Sequence, residues 1–389
     1  MPIERTMAEY TAFIATKYPV VTITGPRQSG KTTLVKTVFA EKPYVNLERP
    51  DIRSFALEDP IGFLQQYPDG GVLDEIQRTP DLLSYIQTIV DETKRPGLFI
   101  LTGSRQFELM NRISQSLAGR TSLLKLLPFS IEEMEGHFPT DDIDTLIYKG
   151  FYPRIHADDL PPTQALGDYY STYVERDLRQ LIQIKDLGLF DTFVRLCAGR
   201  VGQLLNLSSL ANDAGVSHTT ARDWINILEA SFVIFRLPPY HTNTSKRLVK
   251  SPKFYFYDIG LAAYLCGIDD ERQLRTYPLR GSFFENMVIL EAMKYRLHRG
   301  KEAHFTFYRD SIGNEVDLLY PVGPDVLPIE IKSGQTISSD YFKGLRTFER
   351  FHGPSSTSAV VVYGGHEAQR RTNATITSIQ SLYQVLDAL

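Results

Sequence analysis

A glycine-rich segment near the N-terminus carries residue types that bind phosphate groups. It lies between an apolar run, residues 20–24, and a run of helical character, residues 31–39. The segment matches G-x-x-x-x-G-K-[ST] and reads Gly25-Pro26-Arg27-Gln28-Ser29-Gly30-Lys31-Thr32. Its glycines let successive N–H groups face a phosphate, and the helix N-terminus adds favourable partial charge. Lys31 is then expected to reach the β- and γ-phosphates and Thr32 to offer a hydroxyl to Mg²⁺, so this segment, extended to Thr33, is assigned to nucleotide binding.

An acidic pair provides the second half of this chemistry. Asp74 and Glu75 directly follow the apolar residues 71–73. In phosphoryl-transfer sites an aspartate at such a position holds Mg²⁺ through water, and the next glutamate orients and deprotonates the attacking water. Acidic residues after strands are common on surfaces, so the pair alone is a weak signal. Together with the upstream phosphate-binding segment it predicts Mg²⁺-dependent hydrolysis of ATP.

Three further polar residues are candidates for the same reaction. Thr102 and Ser104 follow the apolar run 98–101, where their hydroxyls either contact the γ-phosphate or its water, or simply cap the loop. Arg120 follows Gly119, a residue type that ends helices. An exposed arginine there suits an arginine finger offered to the ATP of a neighbouring copy. An ordinary surface arginine is the alternative.

The elements that must position these residues alternate between strand-like and helix-like segments over residues 1–130. Such alternation is typical of a parallel sheet covered by helices on both faces. The predicted strands are Val20–Thr24, Tyr44–Leu47, Gly71–Leu73, Leu98–Thr102 and Ser122–Leu127. We therefore predict an α/β fold whose N-terminal part is a P-loop NTPase sheet.

The order of these motifs resembles the AAA+ ATPases, and a closer resemblance covers nearly the whole chain. Two further segments carry it, Gly150-Phe151-Tyr152-Pro153 and Asp258-Ile259-Gly260-Leu261-Ala262. They are similar to boxes in the prokaryotic AAA-type ATPases that have a C-terminal restriction-endonuclease-like domain. The resemblance implies this architecture and the use of ATP.

The middle of the chain has the pattern of a helix-turn-helix. Leu207, Leu210, Ala211 and Ala214 form an apolar helical stripe, Gly215-Val216 makes a turn, and Ser217 can cap a second helix. We expect a hairpin to follow, formed by Phe232–Leu237, a Pro238-Pro239 turn and Phe254–Asp258, which completes a winged helix. The candidate DNA contacts are His218, Thr219, Thr220 and Arg222 on the second helix and Lys246, Arg247, Lys250 and Lys253 on the wing. The alternative is that this module only packs against protein.

The C-terminal part contains an acidic and basic pattern on two strands. Glu330 and Lys332 share one strand face because side chains alternate, and a short turn can bring Asp317 of the preceding strand beside Glu330. Asp317 and Glu330 could ligate Mg²⁺ while Lys332 stabilises developing negative charge, and Glu285 could complete the site. This Asp…Glu-x-Lys arrangement resembles the PD-(D/E)XK nucleases. Charged pairs on a solvated strand are the alternative, and an intact motif does not by itself establish cleavage.

Length and charge frame these assignments. At 389 residues the chain is longer than one hydrophobic core usually serves. Its net charge is −4, so any DNA contact must come from a local basic patch. The eight histidines show no paired ligand spacing, so we expect no structural zinc. The two isolated cysteines fit a reducing cytoplasm, and the absence of a long apolar run leads us to expect no membrane contact. The predicted domains are an AAA+ P-loop core (1–135), a helical lid (136–200), a winged helix (201–280) and a nuclease-like domain (281–389).

Three functions agree with this organisation. The favoured one is ATP hydrolysis that drives action on DNA, including branched or broken DNA, by a homo-oligomer such as a ring. The second is an ATP-gated DNA endonuclease. The third is a scaffold whose assembly ATP binding switches, without DNA chemistry.

Overall fold

The computed structural model describes residues 3–104, 116–175, 186–240, 249–353 and 358–389. The chain forms two compact units. The first contains residues 1–129, 230–232 and 296–301, and the second contains the rest. The finer division into four domains stays a prediction.

A five-stranded parallel sheet is the centre of the first unit. Its strands are Val20–Thr24 (β1), Tyr44–Asn46 (β2), Gly71–Asp74 (β3), Phe99–Gly103 (β4) and Thr121–Lys125 (β5). They lie in the order β2-β3-β4-β1-β5, and every neighbouring pair is parallel. The sequence predicted all five to within about two residues at each end, because buried parallel strands are continuous apolar runs bounded by polar residues.

Helices cover both faces of this sheet. They are Met7–Ala15 (α1), Lys31–Val38 (α2), Pro50–Glu58 (α3), Pro60–Gln65 (α4) and Leu82–Thr93 (α5). Alternate residues of one strand enter opposite cores: Val20 packs with residues of α3, α4 and α5, whereas Val21 and Ile23 pack with residues of α1 and α2. The predicted three-layer arrangement is therefore present.

The second unit contains a six-stranded mixed sheet, a separate pair of strands and a series of helices. The strands are Ile234–Leu237 (β6), Lys253–Phe256 (β7), Thr306–Arg309 (β8), Glu315–Val322 (β9), Asp325–Lys332 (β10), Ala359–Tyr363 (β11), Gln369–Arg370 (β12) and Ala374–Ser378 (β13). The sheet order is β12-β13-β11-β10-β9-β8, in which β10, β11 and β13 are parallel. Strands β6 and β7 form a separate antiparallel pair.

The helices of the second unit precede, separate and follow these strands. They are Ile131–Met134, Ile143–Lys149, Pro153–Ala157, Pro162–Tyr169, Leu187–Ala198, Leu207–Ala214, His218–Ala230, Ile259–Leu265, Arg280–His298, Lys343–His352 and Leu382–Asp387. Within the ranges that the structure covers, no helix combines the length and apolar character needed to cross a bilayer.

Three of these helices, Leu187–Ala198, Leu207–Ala214 and His218–Ala230, pack together before β6. Gly215 ends helix Leu207–Ala214 with φ of 70°, and the Ser217 hydroxyl accepts the N–H of Thr220 at 3.1 Å, as a helix cap does. Trp224 of helix His218–Ala230 packs edge-on against two phenylalanines of helix Leu187–Ala198, each at 5.2 Å between ring centroids. Two helices joined by a turn are therefore present where the sequence predicted them.

The predicted turn at Pro238-Pro239 is wrong. The chain leaves β6 and runs along β8 instead, where Tyr240 N–H donates to the carbonyl of Phe307 at 2.7 Å and Phe307 N–H donates to the carbonyl of Pro238 at 3.1 Å. Proline lacks an N–H but keeps its carbonyl, so it is tolerated beside an edge strand. The second strand of the pair also begins earlier than predicted, at Lys253.

Candidate active site

Three adjacent strand ends of the first unit carry the predicted catalytic residues. The phosphate-binding segment follows β1, Asp74 is the last residue of β3, and Gly103 is the last residue of β4. Strand β4 lies between the other two, and all three are parallel. Their carboxyl ends therefore meet at one edge of the sheet, where α/β proteins bind ligands.

The phosphate-binding segment adopts a backbone that requires its glycines. Gly25 and Gly30 have φ of 148° and 94°, in the region that residues with a Cβ rarely adopt. A Cβ on Gly25 would lie 2.1 Å from the carbonyl oxygen of Leu126. Gln28 also has positive φ, at 61°. Helix α2 then begins at Lys31, and its first N–H groups have no carbonyl partner within the helix.

Lys31 is buried within this segment. Its side chain is 6% exposed, and its ammonium donates to the carbonyls of Gly25 at 3.1 Å and Pro26 at 2.7 Å. Burial lowers the pKa of Lys31 to about 8, although Glu75 and Asp74 oppose the shift. The carbonyls of the segment itself therefore hold the ammonium inside the loop.

Asp74 is the centre of a hydrogen-bond network. One carboxylate oxygen accepts the Thr32 hydroxyl at 2.9 Å and the Tyr44 hydroxyl at 2.5 Å, and the other accepts the Thr102 hydroxyl. Asp74 is 3% exposed. A hydroxyl and a carboxylate side by side are hard oxygen ligands, so these residues fit Mg²⁺. Sequence reasoning missed Tyr44, because it lies outside every motif.

Glu75 is held beside Asp74 by the end of β4. Its carboxylate accepts the Ser104 hydroxyl at 3.3 Å and the side-chain amide of Gln77, and its N–H donates to the Thr102 hydroxyl at 3.2 Å. Its φ of 60° lies in the left-handed region, which for a non-glycine residue is uncommon and concentrates at functional sites. In this structure the hydroxyls of Thr102 and Ser104 orient the acidic pair rather than only capping a loop.

Arg5, another residue that the sequence did not predict, holds the phosphate-binding segment in place by hydrogen bonds. Arg5 is 5% exposed, and its guanidinium donates to the carbonyls of Ser29 at 2.6 Å and Leu127 at 2.7 Å. Pro26 and Ser29 are buried, Arg27 is half-buried and Thr33 is exposed. Arg5 thus joins the phosphate-binding segment to the chain that leaves β5.

Arg120 lies at the end of the parallel sheet where the strands begin, opposite the end that carries the phosphate-binding segment. It directly precedes β5, and its carbonyl accepts the N–H of Val20, the first residue of β1. Its guanidinium forms a two-pronged ion pair with Asp91, at 2.6 and 2.8 Å. This pairing raises the pKa of Arg120 and lowers that of Asp91. Arg120 is therefore remote from the phosphate-binding segment of its own chain.

The predicted DNA-binding residues of the second unit have different surroundings. Thr219, Arg222 and Lys250 are exposed, and Thr220 is half-buried. Lys246 and Arg247 lie outside the described residues. Lys253 is 3% exposed and forms ion pairs with two glutamates, so the prediction that it contacts DNA from an exposed wing is wrong. As the first residue of β7, it directs its side chain into a carboxylate cluster.

The predicted nuclease-like residues come together around that cluster. The ammonium of Lys332 lies 2.6 Å from a carboxylate oxygen of Glu330 and 3.4 Å from one of Asp317. The same Asp317 oxygen accepts the N–H of Ile331 at 2.8 Å. Burial raises the pKa of Glu330, and the neighbouring Asp317 raises it further. The fourth predicted residue, Glu285, is part of the cluster through Lys253.

Comparison with protein families matches three segments of the chain. Residues 17–135 match the AAA domain family. Residues 140–272 and 280–382 match two different domains of unknown function (DUF8612 and DUF4143). The first match includes the phosphate-binding segment, the acidic pair and the residue at position 120, so the N-terminal part resembles the AAA domain family across its candidate site.

The chain is also similar to several relatives and solved structures. An uncharacterized protein of Mycobacterium tuberculosis is 34% identical over 274 residues, which cover 70% of this chain and 61% of that protein. One of Haemophilus influenzae is 24% identical over 218 residues, 52% of this chain and 53% of that protein. A Walker-type ATPase of Pyrococcus abyssi has a TM-score of 0.43 at 15% identity, covering 67% of this chain and 94% of that one. DnaA of Aquifex aeolicus bound to AMPPCP has a TM-score of 0.32 at 16% identity, covering 57% and 85%. The chain thus matches about three fifths of the mycobacterial relative.

Proposed function

We propose that this chain hydrolyses ATP with Mg²⁺ in the first unit and uses the cycle to act on DNA through the second. One observation carries the ATPase proposal: Thr32 and Thr102 both donate hydrogen bonds to Asp74, and Thr102 also accepts the N–H of Glu75. Three strand ends thereby share one polar network beside a phosphate-binding loop. This arrangement is the one that phosphoryl transfer to water requires.

Each residue has a separate role in the proposed reaction. Lys31 leaves the carbonyls of its own loop and binds the β- and γ-phosphates of ATP. Thr32 and Asp74 would hold Mg²⁺, and the ion would neutralise charge on the phosphates. Glu75 accepts a proton from the attacking water, and Ser104 keeps its carboxylate in place. The loop N–H groups orient the phosphates.

Glu75→Gln tests this assignment. The amide keeps an oxygen for Ser104 but cannot take a proton at neutral pH. We expect ATP affinity within about twofold of the parent and turnover lower by about 10²- to 10⁴-fold, the usual contribution of a general base. The matched control is Glu58→Gln, an exposed glutamate on α3. Parent-like turnover in Glu75→Gln would show that another group activates the water.

The DNA part of the proposal rests on the topology of residues 187–256. A short stretch between two helices pairs with β7: the N–H of Gly202 donates to Phe254 at 2.9 Å and the N–H of Leu205 donates to Pro252 at 2.8 Å. The order is therefore helix, short strand, two helices and then β6 and β7, which supports a winged helix. Helix His218–Ala230 presents Thr219 and Arg222 to solvent, as a recognition helix would.

Neutralising the basic segment before β7 should weaken DNA binding and reduce its salt dependence by about one unit of slope for each phosphate that is no longer neutralised. The substitutions are Lys246→Ala, Arg247→Ala and Lys250→Ala. A matched triple substitution in the first unit, Lys17→Ala, Arg49→Ala and Arg95→Ala, should leave binding unchanged. Gel shifts on duplex, single-stranded, forked and four-way DNA, with and without ATP, provide the measurement. Equal affinity of both triple variants would remove this segment from the DNA site.

The order of elements around the C-terminal sheet supports a restriction-endonuclease-like fold. The role of this domain distinguishes an endonuclease from an ATPase that acts on DNA without cutting it. Its element order is helix Arg280–His298, strands β8, β9 and β10, helix Lys343–His352 and strand β11. Either it cleaves DNA when ATP permits, or it serves as a platform for DNA while the first unit does the chemistry. Cutting of linear or branched DNA with Mg²⁺ or Mn²⁺ that Lys332→Ala abolishes would support cleavage. An ATPase rate that DNA does not change would instead favour a scaffold that ATP switches.

A further inference from the structure

A cluster of acidic side chains in the second unit has the spacing of a metal site. Glu285 of helix Arg280–His298 and Glu315 and Asp317 of β9 each bring a carboxylate oxygen within 4.8 Å of the others. Three such oxygens could hold a divalent cation. The set differs from the sequence prediction, because Glu315 takes the place expected for Glu330.

A lysine already occupies the centre of this cluster. The side chain of Lys253 is 4% exposed, and its ammonium lies 2.8 Å from Glu285 and in direct contact with Glu315. The hydroxyl of Tyr255 donates to the same oxygen of Glu285 at 2.5 Å. Lys253 keeps its charge despite burial, because Glu285, Asp317 and Glu315 together raise its pKa.

Two other carboxylate oxygens of the cluster also have partners. Arg309 lies 3.2 Å from the second oxygen of Glu315. One oxygen of Asp317 accepts the N–H of Ile331 and faces Lys332. A divalent ion would add two positive charges beside the ammonium of Lys253, at a distance where like charges repel strongly. The residues present therefore do not fit a metal ion while Lys253 stays in place.

The poor fit for a metal ion is not caused by a lack of solvent access to the carboxylates. A cavity of about 610 Å³ opens beside the cluster, and its lining includes Lys253, Glu285, Arg309 and Glu315. A hydrated ion in solvent can therefore reach the carboxylates. What opposes its binding is the cation that the chain supplies.

We infer that Lys253 is the resident cation of the Glu285, Glu315 and Asp317 cluster, where it excludes divalent metal and fastens β7 to β9 and helix Arg280–His298. This corrects the predicted metal role of Asp317, and it does not depend on ATP hydrolysis. In this conformation Lys253 therefore takes the place of a metal ion in the cluster. Metal-dependent chemistry there would first require that Lys253 leave the cluster.

The test is Mn²⁺ binding to the nucleotide-free, full-length protein, followed by electron paramagnetic resonance of the free ion. The parent and Asp317→Asn should bind Mn²⁺ equally, since neither has a site in the cluster. Lys253→Met, which keeps the length of the side chain but not its charge, should gain one site at least about 10-fold tighter than any in the parent. That site should be absent from the double variant Lys253→Met/Asp317→Asn. Lys250→Met, an exposed lysine of the same segment, is the matched control and should gain nothing.

Two results would overturn the inference. One is Mn²⁺ binding by the parent that Asp317→Asn abolishes, because the cluster would then hold metal with Lys253 present. The other is a folded Lys253→Met protein without a new site. If Lys253→Met does not fold, the comparison of the parent with Asp317→Asn still decides, and Lys253→Arg, which keeps the charge, should fold and bind no additional Mn²⁺.

Discussion

Replacing Arg120 with alanine is expected to slow ATP hydrolysis while leaving ATP affinity unchanged. Arg120 precedes β5 at the edge where β1 begins, and the phosphate-binding segment follows the end of β1. Strand β1 has five residues, so about 16 Å separate the two edges at a rise of about 3.3 Å per residue. An arginine side chain is too short to bridge that distance. If Arg120 takes part in hydrolysis, it must act on the ATP of a neighbouring copy.

The expected size of the effect follows from that role. An arginine finger typically contributes about 10³- to 10⁵-fold to turnover, so Arg120→Ala should lose at least about 10³-fold. Arg120 must leave its ion pair with Asp91 to reach a neighbouring copy. Breaking this pair costs little free energy, since both side chains are partly exposed and surface ion pairs contribute little to stability. The matched control is Arg95→Ala, which removes another surface arginine paired with an aspartate, Asp69 at 3.0 Å.

Mixing variants separates action between copies from action within one. Lys31→Ala protein lacks a working nucleotide site but keeps Arg120, and Arg120→Ala protein has the reverse defect. With random assembly of equal amounts, about a quarter of the interfaces combine an intact site with an intact arginine. The mixture should therefore recover about a quarter of the parent rate per chain, and the parent's rate per chain should rise with concentration. Full turnover by Arg120→Ala, or a mixture without recovery, would refute the reasoning.

Two further predictions concern residues that no motif marked. Tyr44→Phe removes one hydrogen-bond donor to Asp74. The apparent Mg²⁺ affinity of hydrolysis should weaken by about 10-fold, because residues that hydrogen-bond to a metal ligand hold it in the right orientation. Mg²⁺ titrations of the ATPase rate measure this change, and an unchanged titration would contradict the prediction. Arg5→Ala leaves buried carbonyls, including that of Ser29, without their donor, so the free energy of unfolding should fall by about 2–4 kcal/mol. Denaturant melts measure that decrease, and Arg53→Ala on α3, whose side chain is not among the buried arginines, should change stability little.

The first unit was largely predictable because its signals are local. The glycines of the phosphate-binding segment and the apolar runs around it fix both a strand and a loop. Once β1, β3 and β4 are parallel, their ends must meet, and that places Asp74 beside Thr102. Tyr44 and Arg5 were missed because they reach the site from distant parts of the chain through tertiary packing alone.

The second unit shows the limit of reading charge from sequence. Lys253 belongs to a run of basic residues, and such runs normally lie on the surface. Its burial depends on Glu285 and Glu315, which lie far along the chain and form ion pairs with it in the folded protein. Likewise, the two prolines after β6 read as a turn. The carbonyl of Pro238 instead pairs with the edge of β8, and no local pattern marks that strand as a neighbour.

The most direct test of the account is steady-state release of phosphate from ATP by the purified chain with and without Mg²⁺. We predict Mg²⁺-dependent turnover in the parent that Lys31→Ala abolishes, together with weaker ATP binding, because the buried ammonium that meets the phosphates is gone. Lys17→Ala, at an exposed lysine of the same unit, should hydrolyse ATP like the parent. Hydrolysis by Lys31→Ala at the parent rate would contradict the account.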